Sequence, residues 1–220
     1  MIDITVPLGP DTNSWVEMDP PRQDFFLDMR RGDRVTGSTW EINTHHGTHL
    51  DAPSHVAVDG ADIEGVDIAA CMGPCVLVQV DGEDNVTRAD LEARAGELEG
   101  HTRVLIKTPN SERIRGETRF HPDYVALEPS AAEYLVERGF RLVGIDYQSV
   151  DDFETLVTEE RSPVHDILLG SECLVLEGTD LRRASPGEYV LLALPLRLQE
   201  GEGSPVRAVL LDPDTRLSGV

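Results

Sequence analysis

Imidazole and carboxylate groups are concentrated in one short stretch of the chain, THHGTHLDAPSH, at residues 44–55. Four of the seven histidines of this 220-residue protein lie there. His45, His49, Asp51 and His55 all occupy odd positions, so extended backbone would project them from one face, whereas a helix would scatter Asp51 and His55 away from the first pair. Nitrogen and carboxylate donors together suit zinc, manganese or iron better than calcium or magnesium. The stretch therefore predicts a transition-metal site.

Straight extension alone would not bring these side chains to one ion. Four residues of strand separate the Cα atoms of His45 and His49 by roughly 13 Å, so we predict a bend at Gly47, the residue that permits it. Pro53 ends ladder pairing and predicts a rigid loop. The alternative is that each histidine is satisfied in place by hydrogen bonds. Burying three imidazoles beside Asp51 without a cation would, however, leave polar groups unpaired.

The motif HHGTHLDAPSH resembles the H-x-G-T-H-x-D-x-P-x-H signature of the cyclase-like metal hydrolases, a family that includes bacterial kynurenine formamidase and isatin hydrolase. The similarity continues in SPVHDILLGSECLVLEG, where His165 is followed twelve residues later by Glu177, as in the formamidases. It extends through DITVPL near the start, VGIDYQSVDD in the middle and LPLRL with GSPVRAVLL near the end. The resemblance therefore covers nearly the whole chain.

This resemblance implies two divalent ions per chain, zinc in the first place and manganese as the alternative, held by five residues. His45 and His49 would bind the first metal, and His165 would bind the second. Asp51 and Glu177 would be carboxylates that bridge the two metals. Such ions would lower the pKa of a water molecule and polarise a carbonyl, which is the chemistry that hydrolysis needs. His55 would not be a ligand but would serve as general acid and base, since it titrates in the right range.

Glu177 bears on the type of hydrolase. Isatin hydrolase resembles this chain in the first motif but carries glutamine where the formamidases carry glutamate, so Glu177 favours a binuclear, formamidase-like site over a solvent-facing strand end. The expected activity is cleavage of an amide or formamide C–N bond, with N-formylkynurenine as the substrate. The alternatives are a hydrolase or cyclase of another cyclic amide, lactone or polyketide-derived compound, and a metal-binding paralogue without turnover. His55 argues against the last, because a binding site needs no spare acid–base group.

The substrate side of the site is expected near the N-terminus. Formamidases carry an aromatic residue followed by Pro-Gly-Asp there, whereas this chain reads SWVEMDPP. Trp15 is retained and is predicted to contact the substrate, but Glu17 and Met18 replace the Pro-Gly turn. Phe25 and Phe26 either wall an aromatic pocket or fill the core. Farther along, Asp146, Ser149 and Asp151 are candidates for orienting the histidines, with a polar loop after a strand as the alternative.

Strands and helices interleave in the middle of the chain, while strands dominate both ends. Helices are predicted from Thr87, where TRAD forms a capping box, from Ser130 as a cap to Gly139, and over 164–169. No linker divides the chain, so residues 1–220 are expected to form one α/β domain with a mixed sheet. The resemblance adds a barrel-like sheet flanked by helices, of the swivelling β/β/α type. Strands are predicted at 2–8, 24–29, 35–43, 75–80, 104–107, 141–146, 173–177, 189–196 and 206–211.

Composition restricts the partners. Forty-one acidic residues against nineteen basic ones give a net charge of −22, which argues against nucleic acid and anionic membranes. A high-salt cytoplasm would explain this acidity; a GC-rich genome would explain why only Lys107 is lysine. No signal peptide or 18-residue apolar run is visible, so a cytoplasmic enzyme with a small-molecule substrate is expected, and the resemblance implies a homo-oligomer, a dimer or tetramer. Three cysteines favour buried thiols over disulfides or zinc.

Overall fold

A nine-stranded mixed sheet forms the centre of the molecule, with strand order β1-β11-β9-β5-β6-β7-β8-β4-β10. The computed structural model describes residues 1–16, 18–113, 119–158 and 162–215. The strands in these ranges are β1 (Ile2–Asp3), β2 (Arg22–Leu27), β3 (Gly37–Glu41), β4 (His49–Asp51), β5 (Met72–Gln79), β6 (Arg103–Lys107), β7 (Leu142–Ile145), β8 (Leu174–Glu177), β9 (Gly187–Leu192), β10 (Gly203–Pro205) and β11 (Val209–Leu211).

Strands β5, β6, β7 and β8 run parallel, and all other neighbours in the sheet are antiparallel. Helical segments make the connections between the parallel strands, as parallel pairing requires. The sheet is curled and flanked by helices, so the predicted fold class is confirmed. The helices are α1 (Arg88–Glu92), α2 (Ala95–Leu98), α3 (Asn110–Arg113), α4 (Pro129–Glu137), α5 (Phe153–Thr158) and α6 (Pro163–Gly170).

Both faces of the central strands are buried. Successive side chains of a strand alternate between faces, so Val76 and Val78 of β5 join a cluster under α4 and α6, while Cys75 and Leu77 join a second cluster. The second cluster is closed by residues of the antiparallel strands, such as Leu50 of β4. Because the sheet curls around this second cluster, strands from both ends of the sheet contribute side chains to the same core. The cysteines are buried free thiols, as predicted: Cys71, Cys75 and Cys173.

Local signals fixed some helix ends but not others. The capping box at Thr87 is present, because its hydroxyl accepts from the Asp90 amide and the Asp90 carboxylate accepts from the Thr87 amide. The predicted cap at Ser130 is wrong, since Pro129 has a helical φ and takes the first position of α4, which moves the cap back to Glu128. Gly139 follows the end of α4 in the left-handed region, as expected.

The hairpin of β2 and β3 forms a separate two-stranded sheet. Both predictions for its aromatic residues are therefore wrong: Phe26 is 67% exposed, and the half-buried Phe25 packs under the Arg30 guanidinium, away from the core clusters. The strand predicted over 2–8 is also too long. It ends after Asp3, and the Val6 amide donates to the Thr48 hydroxyl, so this segment lies over the histidine-rich stretch. No helix in the described ranges is long and apolar enough to cross a membrane.

Candidate metal centre

The chain bends between His45 and His49 at Gly47, whose φ of +65° lies in the left-handed region. The bend prediction is confirmed, and the bend is held in place by a close approach. A Cβ on Gly178 would lie 2.1 Å from the Gly47 carbonyl oxygen. That carbonyl faces the His49 Nδ1 atom at 3.1 Å. The backbone of the bend therefore orients an imidazole directly.

Extended backbone covers less of the motif than predicted. Only His49 to Asp51 form strand β4, which lies between β8 and β10. His45 lies in the turn before the strand, and His55 ends a 3-10 turn that begins at Pro53. The common face of these residues thus arises from a bend and a proline-led turn on either side of a short strand.

The bend, β4, β8 and α6 bring five of the predicted residues together around the Asp51 carboxylate. The Asp51 Oδ1 atom lies 2.8 Å from His45 Nδ1 and 3.4 Å from His49 Nε2, while Asp51 Oδ2 lies 3.5 Å from His165 Nε2. The Glu177 carboxylate reaches His49 Nε2 at 3.3 Å and His165 Nε2 at 3.2 Å. Two groups of donor atoms, each within 4.8 Å of one another, share Asp51: His45, His49 and Asp51, and Asp51, His165 and Glu177.

The donor atoms of this cluster fit a cation. His49 Nε2 and both carboxylate oxygens of Asp51 are buried and make no hydrogen bond, an arrangement that is costly unless positive charge compensates it. Burial alone would lower the pKa of His49, but Asp51 and Glu177 outweigh burial and raise it to about 10. Burial alone would raise the pKa of Asp51, but the neighbouring imidazoles hold it well below its ordinary value. Buried carboxylates with nitrogen donors match the preference of divalent transition metals.

The Asp151 carboxylate orients His165, which lies in the first turn of α6. The Asp151 carboxylate accepts from the Val164 and His165 amides at 2.8 and 3.2 Å and lies 2.6 Å from His165 Nδ1. The expectation that Asp151 orients a histidine matches this contact. Asp146 instead binds the amides and hydroxyls of Thr108 and Ser111, so its assignment to the histidines is wrong.

His55 lies beside the cluster but in neither donor group. Its ring centroid is 4.3 Å from that of His45 and 5.5 Å from that of His165. Burial lowers the pKa of His55, with the adjacent imidazoles acting in the same direction and Asp51 opposing them. Burial thus favours the neutral form of the His55 imidazole, the form that can accept a proton.

A cavity of about 560 Å³ opens over the cluster. Trp15 forms part of its wall and packs edge-on against Phe120, with ring centroids 4.9 Å apart, and against Phe153 at 5.6 Å. Met18 also lines the cavity, whereas Glu17 lies outside the described residues. Among the described lining residues none is Lys or Arg; they include Trp15, Val16, Leu156, Val157, His55 and His165.

Sequence reasoning missed Glu202, whose Oε1 atom lies 3.3 Å from His45 Nε2. The residue immediately precedes β10, which pairs with β4. Its backbone carbonyl accepts from the Ala52 amide at 2.9 Å. Only this strand pairing brings a residue so far along the chain to the histidine motif, and the surrounding QEGEGSP carries no signal of it.

Comparison with known proteins gives consistent matches. The family model described as "Putative cyclase" matches residues 2–152. "Cyclase-like protein 3" of Oryza sativa subsp. japonica is 36% identical over 220 residues, covering 96% of this chain and 79% of that protein. "Kynurenine formamidase" of Bacillus anthracis is 32% identical over 210 residues, covering 95% and 96%.

Solved structures match over almost the full length. A structure described as a "Potential Metal-Dependent Hydrolase With Cyclase Activity" superposes with a TM-score of 0.78 at 27% identity, covering 94% of this chain and 95% of that one. An isatin hydrolase bound to the product analogue thioisatinate gives a TM-score of 0.83 at 21% identity, covering 97% and 92%. The second match concerns the fold alone.

Proposed function

Since the chain belongs to the cyclase family and is a metal-dependent hydrolase, we propose that it cleaves an amide or formamide C–N bond, with N-formylkynurenine as substrate and kynurenine and formate as products. The observation that carries the proposal is the pair of donor groups sharing Asp51, with His55 beside them at the floor of a cavity. The similarity to a Bacillus kynurenine formamidase over 95% of the chain supports this substrate.

The proposed ligands are His45 and His49 for one divalent ion and His165 for the second, and the carboxylates of Asp51 and Glu177 are proposed to be shared by both ions. Zinc is the first candidate and manganese the alternative, because imidazole and carboxylate donors accept either. When bound, such ions polarise a carbonyl and lower the pKa of a water molecule. The protein contributes the fixed orientation of these donors. The Gly47 carbonyl contacts Nδ1 of His49, and the Asp151 carboxylate contacts Nδ1 of His165.

His55 is the proposed proton carrier. Its pKa is lowered, chiefly by burial, so the imidazole is neutral at pH 7. It accepts a proton from the attacking water and delivers it to the nitrogen that leaves when the C–N bond breaks. His55 returns to its starting protonation state at the end of the reaction, because it acts as base in the first step and as acid in the second.

Trp15 is proposed to hold the substrate. Its indole is fixed by Phe120 and Phe153 and faces the cavity together with aliphatic side chains. Aromatic rings prefer such offset or edge-on neighbours, so an aryl group is a suitable occupant. Apart from the clustered histidines and Glu177, the polar residues described in the wall are Gln148, Ser149 and Ser162, all of which are uncharged.

A second candidate substrate class is an uncharged cyclic amide or lactone. It is favoured by the lining of the cavity, which in the described residues offers no cationic side chain to pair with the carboxylate of an amino-acid substrate. Such a pairing normally uses Arg or Lys. Ring opening would use the same donor groups and the same proton transfer by His55.

The test is hydrolysis by protein loaded with zinc or manganese, in low and high salt, with a chelated control. N-formylkynurenine and a panel of uncharged aryl lactones and cyclic amides are compared. Chelator-sensitive turnover of N-formylkynurenine with kcat/KM above roughly 10⁴ M⁻¹s⁻¹ supports the first candidate. Turnover of the uncharged compounds alone supports the second. Metal binding without turnover of any of them would leave a binding protein and overturn the proposal.

A further inference from the structure

Two of the clustered imidazoles share a pattern in which one ring nitrogen is engaged outside the cluster. His49 presents Nδ1 to the Gly47 carbonyl and Nε2 to the carboxylates. His165 presents Nδ1 to the Asp151 carboxylate and Nε2 to the cluster. In a neutral imidazole the nitrogen opposite the N–H carries the lone pair. An outer acceptor therefore selects the tautomer that turns a lone pair inward.

His45 follows the same pattern in reverse, with Glu202 as its outer acceptor. Its Nδ1 atom faces Asp51 at 2.8 Å, and its Nε2 atom faces Glu202 at 3.3 Å. The Thr44 hydroxyl donates to the same Glu202 oxygen at 2.5 Å, which fixes the carboxylate on the histidine. Nothing in the histidine motif itself supplies this acceptor.

The backbone beside Glu202 is shaped for this approach. A Cβ at the next residue, Gly203, would lie 3.0 Å from His45 Cε1 and 3.4 Å from Asp51 Oδ1. The absence of a side chain there lets the strand bring the Glu202 carboxylate up to the imidazole. Glu202 is also the least enclosed of the outer acceptors, because its side chain is 43% exposed whereas that of Asp151 is 1% exposed.

We propose that Glu202 is a positioning residue that selects the Nε2–H tautomer of His45, and that the ion held on the His45 side is consequently the more weakly bound and more readily exchanged of the two. The inference rests on the proposed function, since it assumes that both donor groups bind metal. The physical reason is that a solvent-exposed carboxylate is screened and orients its partner less firmly than the buried Asp151 orients His165.

The experiment titrates metal-free protein with Co²⁺ and with Zn²⁺, following Co²⁺ absorbance and heat, and needs no substrate. Wild type should bind two ions in two resolved steps. Glu202→Ala should lower the metal affinity of the weaker binding step by about 10–100-fold and leave the affinity of the stronger step unchanged. Glu202→Gln, which keeps an acceptor oxygen, should recover part of that loss. Asp151→Asn should weaken the tighter step instead.

Two controls separate positioning from general effects. Glu200→Gln removes the same charge from an exposed residue of the same loop and should leave both steps unchanged. Imidazole ¹⁵N spectra of the zinc-loaded protein should show the Nε2–H tautomer at His45 in wild type and a mixture of tautomers in Glu202→Ala. Thr44→Val supplies a second perturbation of the Glu202 carboxylate if Glu202→Ala does not fold.

Each outcome has a definite meaning. Binding of fewer than two ions by wild type would refute the binuclear centre of the proposed function. Two ions in wild type with the same affinities in Glu202→Ala, or with the same loss in Glu200→Gln, would refute the role of Glu202 while leaving the proposed function intact.

Discussion

Replacing Gly178 by alanine should destabilise the protein by two separable terms. Gly178 directly follows Glu177 and has a φ of +64°, a conformation that costs a residue with a Cβ about 1–2 kcal/mol. The added methyl group would also lie 2.1 Å from the Gly47 carbonyl oxygen and 2.7 Å from its carbon. Both atoms belong to backbone that cannot rotate away, and forcing such a contact typically costs a further 1–3 kcal/mol.

The expected loss for Gly178→Ala is therefore about 2–5 kcal/mol in the free energy of unfolding. For a chain of this size that corresponds to a fall in Tm of at least about 4 °C. Because the displaced carbonyl faces His49 Nδ1, the affinity for metal should fall as well. The measurement is urea unfolding of metal-free protein, followed by metal titration of the folded variant.

Gly100→Ala is the matched control. Gly100 has a φ of +81°, but nothing lies within 4 Å of the site where its Cβ would be. This variant should lose only the conformational term of about 1–2 kcal/mol and should bind metal normally. Equal losses of stability in the two variants, or unchanged metal affinity in Gly178→Ala, would show that the approach of Gly178 to the bend does not hold the site together.

Three further substitutions test the roles proposed for individual side chains. His55→Ala should keep both metal ions by elemental analysis while kcat falls by about 10²–10⁴-fold, the range for loss of a general acid–base; loss of metal would instead make His55 a ligand. Asp51→Asn should reduce binding of both ions at once, because both donor groups use this carboxylate, and retention of one full-affinity ion would contradict its bridging role. Trp15→Ala should raise KM by about 2–12-fold, from the 0.5–1.5 kcal/mol of an aromatic contact, with little change in kcat; an unchanged KM would place the substrate elsewhere.

The sequence was most informative where a physical constraint acted over a few residues. The span between His45 and His49 required a bend, and Gly47 was the residue that permitted one. The capping box at Thr87 likewise depends only on neighbours three residues apart. Ser130 failed as a cap because a stronger local constraint, the fixed φ of Pro129, determined where the helix begins.

Longer-range features followed from strand pairing, which local patterns do not reveal. The proximity of His165 and Glu177 to the first motif was expected only through a family resemblance, and Glu202 was not expected at all. The two-stranded sheet that exposes Phe26 is another case, since the same alternation of residues would suit a strand of the main sheet. Pairing partners, rather than strand propensity, decided the positions of Glu177, Glu202 and Phe26, whereas His165 is carried by helix α6 and oriented by Asp151.

Strand β4 pairs with β8 and β10, both of which lie more than a hundred residues later in the chain. The donor set is thus assembled by contacts of long sequence separation, which form slowly because a large loop-closure entropy opposes them. During synthesis, a ribosome-bound chain holding the histidine motif still lacks Glu177 and the β10 strand. A complete site cannot exist before Glu177 and the β10 strand have emerged, so binding of metal to the full donor set must follow their synthesis.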